Sequence, residues 1–309
     1  MNICCVIGLL LGYVSPYINP ELSQSMTLFG LIFPLLVLAN IFFLIFWLFT
    51  QPKFCFLSLL SLVLGYNSIG GIIQLGNSPA INEANLNIMS FNVRGLHLSP
   101  NDKKTAEAMG NYFKKDNNID VFCIQEKRAA GKSLVSKVLK EFDSIESEFY
   151  MAIFSKFPIL KKGIVPVGGN TMEAVWADIQ HPSGKIFRLY SYHLSSNLIS
   201  KTTDNLIEEV SFSERTLSGL KTIIGSYTGQ TTMRKKQLDI LLAHVRKSPH
   251  PVVMAGDMND IPQSYIYRQF RKLFRDTFRD KGQGFGTSYG ENFPLLRIDY
   301  IFHDKNFIT

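Results

Sequence analysis

Only two charged side chains, Glu21 and Lys53, occur in the first 81 residues of this chain. A segment so poor in charge needs an apolar surrounding. Thr27 to Thr50 is uncharged throughout and dense in Leu, Ile and Phe, and it exceeds the roughly 20 residues that a helix needs to cross a bilayer. Pro34 does not forbid that reading, since neighbouring helices can satisfy the backbone group it frees. Phe54 to Leu75 is a second uncharged run, softened by Gly65, Asn67, Gly70 and Gly71, and residues 3–14 form a shorter first one. Residues 1–76 therefore read as a transmembrane region of two to three helices, preferably three. Lys53 is the only basic residue in a connecting loop. The positive-inside bias puts it in the cytoplasm and the polar remainder on the non-cytoplasmic face of the membrane.

Residues 77–85 read as a linker, and 86–309 as a separate globular domain. Nearly all of the charge lies there, so the net +7 belongs to that domain. A basic domain favours anionic partners such as phosphate esters, nucleic acid or an anionic membrane surface. Cys4, Cys5 and Cys55 fall in apolar stretches and Cys123 stands alone in the polar part, so no spacing suggests a cysteine metal site.

Apolar patterning alternates strands with helices after residue 86. Leu86–Val93, Asp120–Glu126, Ala152–Ser155, Ala174–Ile179, Ile186–Tyr192, Val252–Asp257 and Arg297–Phe302 read as strands; Lys103–Asn117, Thr232–Lys247 and Ser264–Phe278 read as helices. Ser195–Ser226 reads as a mobile surface insertion, and the basic run Arg234, Lys235, Lys236 as a solvated helix face. The polar residues recur at one kind of place. Asn92, Glu126, His193, Asp257 with Asn259, and Asp299 all sit at or near strand ends, which is how α/β enzymes gather a site on one sheet edge. Asp257 and Asn259 follow Gly256, which lets backbone or ligand approach closely. A carboxylate and an amide two residues apart suit a hard cation and an attacking water. The competing reading of that stretch is an Asx turn closing a strand.

Five motifs make the pattern specific: Ser90-Phe91-Asn92-Val93-Arg94, Ile124-Gln125-Glu126, His193-Leu194 followed by Ser196, Gly256-Asp257-Met258-Asn259-Asp260, and Arg297-Ile298-Asp299-Tyr300-Ile301-Phe302. In this order they resemble the motifs of the endonuclease/exonuclease/phosphatase superfamily, and Ile153–Ile159 resembles another of its stretches. The resemblance runs from about Leu86 onward. It implies a four-layer α/β sandwich, two packed mixed sheets flanked by helices, here preceded by the transmembrane helices. It also implies cleavage of a phosphate ester with a divalent ion, Mg²⁺ or Mn²⁺. Carried over by position, Glu126 assisted by Asn92 would bind the metal. Asp257 would orient or deprotonate water, Asn259 would steady the nucleophile or a phosphoryl oxygen, and His193 would donate to the phosphate. Asp299 would support a final histidine, and Arg94, Ser196 and Asn197 would contact substrate.

One departure stands out. Relatives close with a Ser-Asp-His motif, and none follows Arg297–Phe302 within residues 1–309; His303 continues the strand and does not replace it. The domain is therefore expected to be C-terminally incomplete, with weak or no turnover. The expected function is a membrane-tethered phosphoesterase acting on nucleic acid, a phospholipid headgroup or an inositol phosphate, with membrane lipid as the other partner and no obligate protein partner. The alternative is a non-catalytic module of the same fold that binds a phosphate ligand. Transport fits poorly, because no charge lies within the spans.

Overall fold

In this computed structural model the described residues are 1–76, 86–93, 104, 107, 108, 111, 112, 119–127, 134–147, 150–168, 173–196, 214–289 and 296–307. The expected Lys103–Asn117 helix, the 77–85 linker, Arg94 and Asn197 fall largely or wholly outside them.

Two mixed sheets form the centre of the domain. Strands β2 (Ile88–Asn92), β3 (Val121–Gln125), β4 (Asp143–Glu146) and β5 (Ala152–Ser155) make one, in the order β2-β3-β5-β4. The other runs β10-β12-β9-β8-β7-β6, from β6 (Ile159–Pro166), β7 (Glu173–Gln180), β8 (Ile186–His193), β9 (Val252–Asp257), β10 (Arg275–Asp276) and β12 (Asp299–His303). Period-two alternation sorts the apolar side chains between layers. Along β9, Val253 and Ala255 join Val121, Cys123, Ile153, Ala177 and Leu189 between the sheets. Val252 and Met254 turn instead toward Leu238, Leu241 and Phe270 of the covering helices. Phe122 and Ile124 face the opposite outer layer with Val135 and Leu139. This is the expected four-layer sandwich.

Several boundaries move. The Thr232–Lys247 helix is the C-terminal half of a longer one, Glu214–Val245, which takes in part of the expected surface insertion. The Ser264–Phe278 helix is two, Tyr265–Leu273 and Thr277–Lys281, because Phe274 is extended and Arg275–Asp276 pairs with β12.

The N-terminal region differs most from expectation. Its helices are α1 (Asn2–Val14), α2 (Ser25–Leu31), α3 (Phe33–Thr50), α4 (Cys55–Leu64) and α5 (Tyr66–Ile69). Among the described residues only α3 is long and apolar enough to cross a membrane. The second span expected from Phe54 to Leu75 does not form as one helix. It ends at Leu64, where a Cβ on Gly65 would collide with the Tyr13 ring. After α5 the chain becomes strand β1 (Ile73–Leu75), which pairs antiparallel with β11 (Gln283–Phe285).

Gly256 shows its use directly. Its Cβ position overlaps the carbonyl oxygen of Tyr192, its parallel partner on β8. Gly256→Ala is expected to cost about 3 kcal/mol or more, read as a lower melting temperature. An unchanged melt would refute this close fit.

Candidate functional site

The rim where both sheets end carries the polar groups. β2 and β3 run parallel, with Asn92 opposite Gln125, so Asn92 and Glu126 leave the four-stranded sheet side by side. On the other sheet, β8 and β9 are parallel with His193 opposite Asp257, and antiparallel β12 sets Asp299 opposite Asp257. Packing sheet on sheet brings the two sets together. The Asn92 amide Nδ2 donates to Glu126 Oε1 at 2.9 Å and to Asp257 Oδ2 at 3.1 Å. His193 Nε2 lies 3.5 Å from Glu126 Oε1 and 3.8 Å from Asp257 Oδ2.

Two of these positions are held in left-handed backbone, Glu126 at φ 53° and Asn259 at φ 52°. Asn tolerates that region, while Glu bears a Cβ clash of roughly 1–2 kcal/mol. Strain of this kind concentrates where a side chain must be aimed. For Asn259 the turn is clamped twice. Its backbone N–H donates to Asp257 Oδ1 at 2.7 Å and its side-chain Nδ2 to the Leu194 carbonyl at 2.9 Å. The Asx turn and the polar site are therefore one arrangement.

Burial sets the electrostatics. It pushes the Asp257 carboxyl up to about 6, against the hydrogen bonds from Asn259 and Asn92, and the nearby Glu126 charge pushes the same way. It lowers the His193 imidazole, although the Glu126 and Asp299 charges oppose this. His193 Nε2 is a buried atom with no hydrogen-bond partner among the described residues.

Behind the rim lies a network that sequence patterning did not show. Arg234 is fully buried, not part of a solvated face. Its guanidinium meets Asp260 at 3.3 Å and donates to the Ser195 carbonyl at 3.1 Å. Tyr227 Oη donates to Asp260 Oδ1 at 3.0 Å, and Ser195 N–H donates to Gln237 Oε1 at 2.8 Å. These contacts fix the segments after His193 and Asp257. Gln125 ties the two sheets together by donating to Ser191 Oγ at 3.1 Å, and it donates to Ser90 Oγ on the neighbouring strand β2 at 3.1 Å. Ser196 is exposed on the rim. His303 sits at the far end of β12, buried, with Nδ1 2.8 Å from the Asp304 carbonyl oxygen. It is not part of the cluster.

No three His, Cys, Asp or Glu side chains converge in metal-ligand fashion among the described residues. Magnesium does not need three. It binds through one or two carboxylates and completes its shell with water and phosphate oxygens. Two carboxylates sharing one amide donor, with no thiolate near, fit such an ion. The orphaned His193 Nε2 beside them fits an anionic ligand.

A profile described as the Endonuclease/Exonuclease/phosphatase family matches residues 89–309, and a domain of unknown function (DUF8431) matches residues 1–72. A sequence search of curated proteins found no match. Among solved structures, the endonuclease/exonuclease/phosphatase from Bacteroides vulgatus superposes with a TM-score of 0.50 at 16% identity, covering 71% of this chain and 85% of that one. A humanized D. rerio TDP2 gives 0.51 at 20%, covering 71% and 83%. D. rerio TDP2 complexed with a single strand DNA product gives 0.50 at 19%, covering 72% and 86%. These similarities show a shared fold. With its profile spanning more than half of the sequence, the chain belongs to the Endonuclease/Exonuclease/phosphatase family.

Proposed function

We propose that this chain is a membrane-tethered, divalent-metal-dependent phosphoesterase. The meeting of Asn92, Glu126, His193 and Asp257 across two sheet rims supports it most strongly. Glu126, positioned by Asn92, would hold Mg²⁺ or Mn²⁺. When bound, such an ion neutralises phosphoryl charge and makes a coordinated water more acidic. Asp257, with its carboxyl near 6, is suited to orient that water and accept its proton close to neutral pH. His193, kept neutral by burial, would donate from Nε2 to a phosphoryl oxygen as charge builds there. Asn259 fixes the Asp257 carboxylate through its backbone N–H and would steady the nucleophile. Asp299 adds negative charge that holds the imidazole in place. Arg94, Ser196 and Asn197 are the proposed substrate contacts, and of these Ser196 is exposed on the same rim. Tethering rests on α3 and on Lys53, in the turn at the end of α3 away from the globular domain.

The test uses the full chain and bis-p-nitrophenyl phosphate, with Mg²⁺ or with EDTA. Turnover should vanish in EDTA. If the folded chain does not turn over, the enzymatic reading falls and phosphate-ligand binding without catalysis takes its place.

A further inference from the structure

The N-terminal helices do more than lie near the globular domain. They dock on the same side of the sheets as the catalytic rim, through contacts spread over both partners. Four residues beyond Asp257 the chain enters Ile261-Pro262-Gln263, which shares a cavity wall with Gly30, Phe33, Pro34 and Ile72. Close approach there depends on glycine. A Cβ on Gly30 would collide with the Gln263 carbonyl oxygen, and one on Gly71 would come 2.7 Å from the Pro262 ring. Around this seam, Arg297 Nη1 donates to the Gly71 carbonyl at 3.4 Å and Arg279 to the Asn67 carbonyl at 2.8 Å. Lys235 pairs with Glu21 at 3.1 Å, and Arg268 stacks over Tyr17 at 4.1 Å. Strand β1 pairs with β11.

The helices themselves have inverted polarity. Asn2, Asn40, Ser58 and Ser61 are buried, and Ser58 Oγ donates to Asn2 Oδ1 at 3.0 Å. Phe42, Phe49, Phe56, Val63 and Leu64 point outward. Apolar outside with polar groups bonding across helices is the arrangement expected in lipid. The turn after α1, α5 with the segment that follows it, and the start of α3 all meet the globular domain, while Gln51–Phe54 lies at the other end of α3. With α3 crossing a bilayer, its start would lie at the membrane surface on the catalytic side. Asn259 is two residues from Ile261, so at most about 7 Å away along the chain. Phe33, at the start of α3, lines the same cavity as Ile261. The rim therefore stands on the order of 10–15 Å from the start of α3, and the headgroup layer is itself roughly 5–8 Å deep.

We propose that the catalytic rim is held against the bilayer surface and that its substrate is a phosphate ester carried by a lipid headgroup. This rests on the phosphoesterase reading for its chemistry, but not for its geometry. Docking supplies what a flexible tether cannot, a fixed height and aim for the cluster of Glu126, Asp257 and His193.

Two measurements on the full chain separate the claims. In vesicles of phosphatidylcholine and phosphatidylglycerol carrying a nitroxide headgroup lipid, a fluorophore at Ser196→Cys is compared with one at Lys305→Cys, with Cys4, Cys5 and Cys55 changed to Ser. Lys305 lies beyond the far end of β12 and is exposed. Quenching several-fold stronger at position 196 is expected; equal quenching, or none at 196, overturns the proposal whether or not the chain is catalytic. In the second, hydrolysis of a p-nitrophenyl phosphodiester on a diacylglycerol should exceed that of bis-p-nitrophenyl phosphate at least tenfold. Gly30→Leu should remove this advantage while the soluble rate stays within twofold. Equal rates on the two esters, or preference for single-stranded DNA, overturn the substrate class. Failure on both esters, with position 196 still quenched, would sink the enzymatic reading and the substrate class with it, and leave the docked geometry standing.

Discussion

Asp257→Asn is expected to reduce Mg²⁺-stimulated hydrolysis of bis-p-nitrophenyl phosphate by about a thousandfold, within the range for loss of a positioned base. The substitution is nearly isosteric, and the surrounding donors show why it is still severe. Asp257 accepts from Asn259 N–H through one oxygen and from the Asn92 amide through the other. Asparagine keeps a single acceptor oxygen and turns an NH₂ group toward one of those donors. The water then loses its base and Asn92 loses one of the two carboxylates it joins. Stability should move the other way. With the carboxyl raised to about 6 by burial, the folded chain holds its proton more tightly than the unfolded chain does. The group's destabilising contribution is thus absent below about pH 4 and grows as pH rises toward 6, remaining above it. Without divalent ions, the variant should melt no lower than the parent at pH 7 and lose less stability between pH 4 and 6. A functional group kept at a cost to folding behaves this way. Loss of both activity and melting temperature would mean that Asp257 is structural.

The residues of this cluster were legible in the sequence because each one closes or opens a short apolar run, alternating before Asn92 and continuous before Glu126 and Asp257. Such a run fixes where a strand ends, and a strand end fixes a rim position. The family motifs then ordered five strand ends before any pairing was known. Contacts made by packing were not legible. Arg234 reads as the first member of a basic helix start, and only the fold shows that Asp260, on another element, lies against it. The pairing of Ile73–Leu75 with Gln283–Phe285 joins two three-residue strands some two hundred positions apart, with no local signal in either. Hydropathy carried Phe54–Leu75 through as one span because it cannot see Tyr13 pressed against Gly65. That error and the docking have one origin. The end of the second apolar run is spent on the globular domain instead of on the bilayer.

Arg297→Met should therefore be the most destabilising single change at the seam, by about 3–5 kcal/mol, the cost of leaving one partner of a buried ion pair alone. Arg297 is 4% exposed and Asp276 is fully buried. The guanidinium donates to Asp276 Oδ2 at 2.8 Å, lies over the rings of Phe278 and Tyr300, and reaches the Gly71 carbonyl. Methionine fills part of the volume but leaves the carboxylate, among the described residues, with Tyr267 Oη and the Phe278 N–H. Pairing the change with Asp276→Asn removes the stranded charge and keeps an acceptor for the Phe278 N–H, so the double variant should regain at least half of the lost stability. Melting of the full chain in detergent measures both. A single variant within about 1 kcal/mol of the parent would show that the pair contributes little. A double variant no better than the single would assign the loss to ring stacking and the Gly71 contact, since burial of an unpaired charge predicts recovery once that charge is gone.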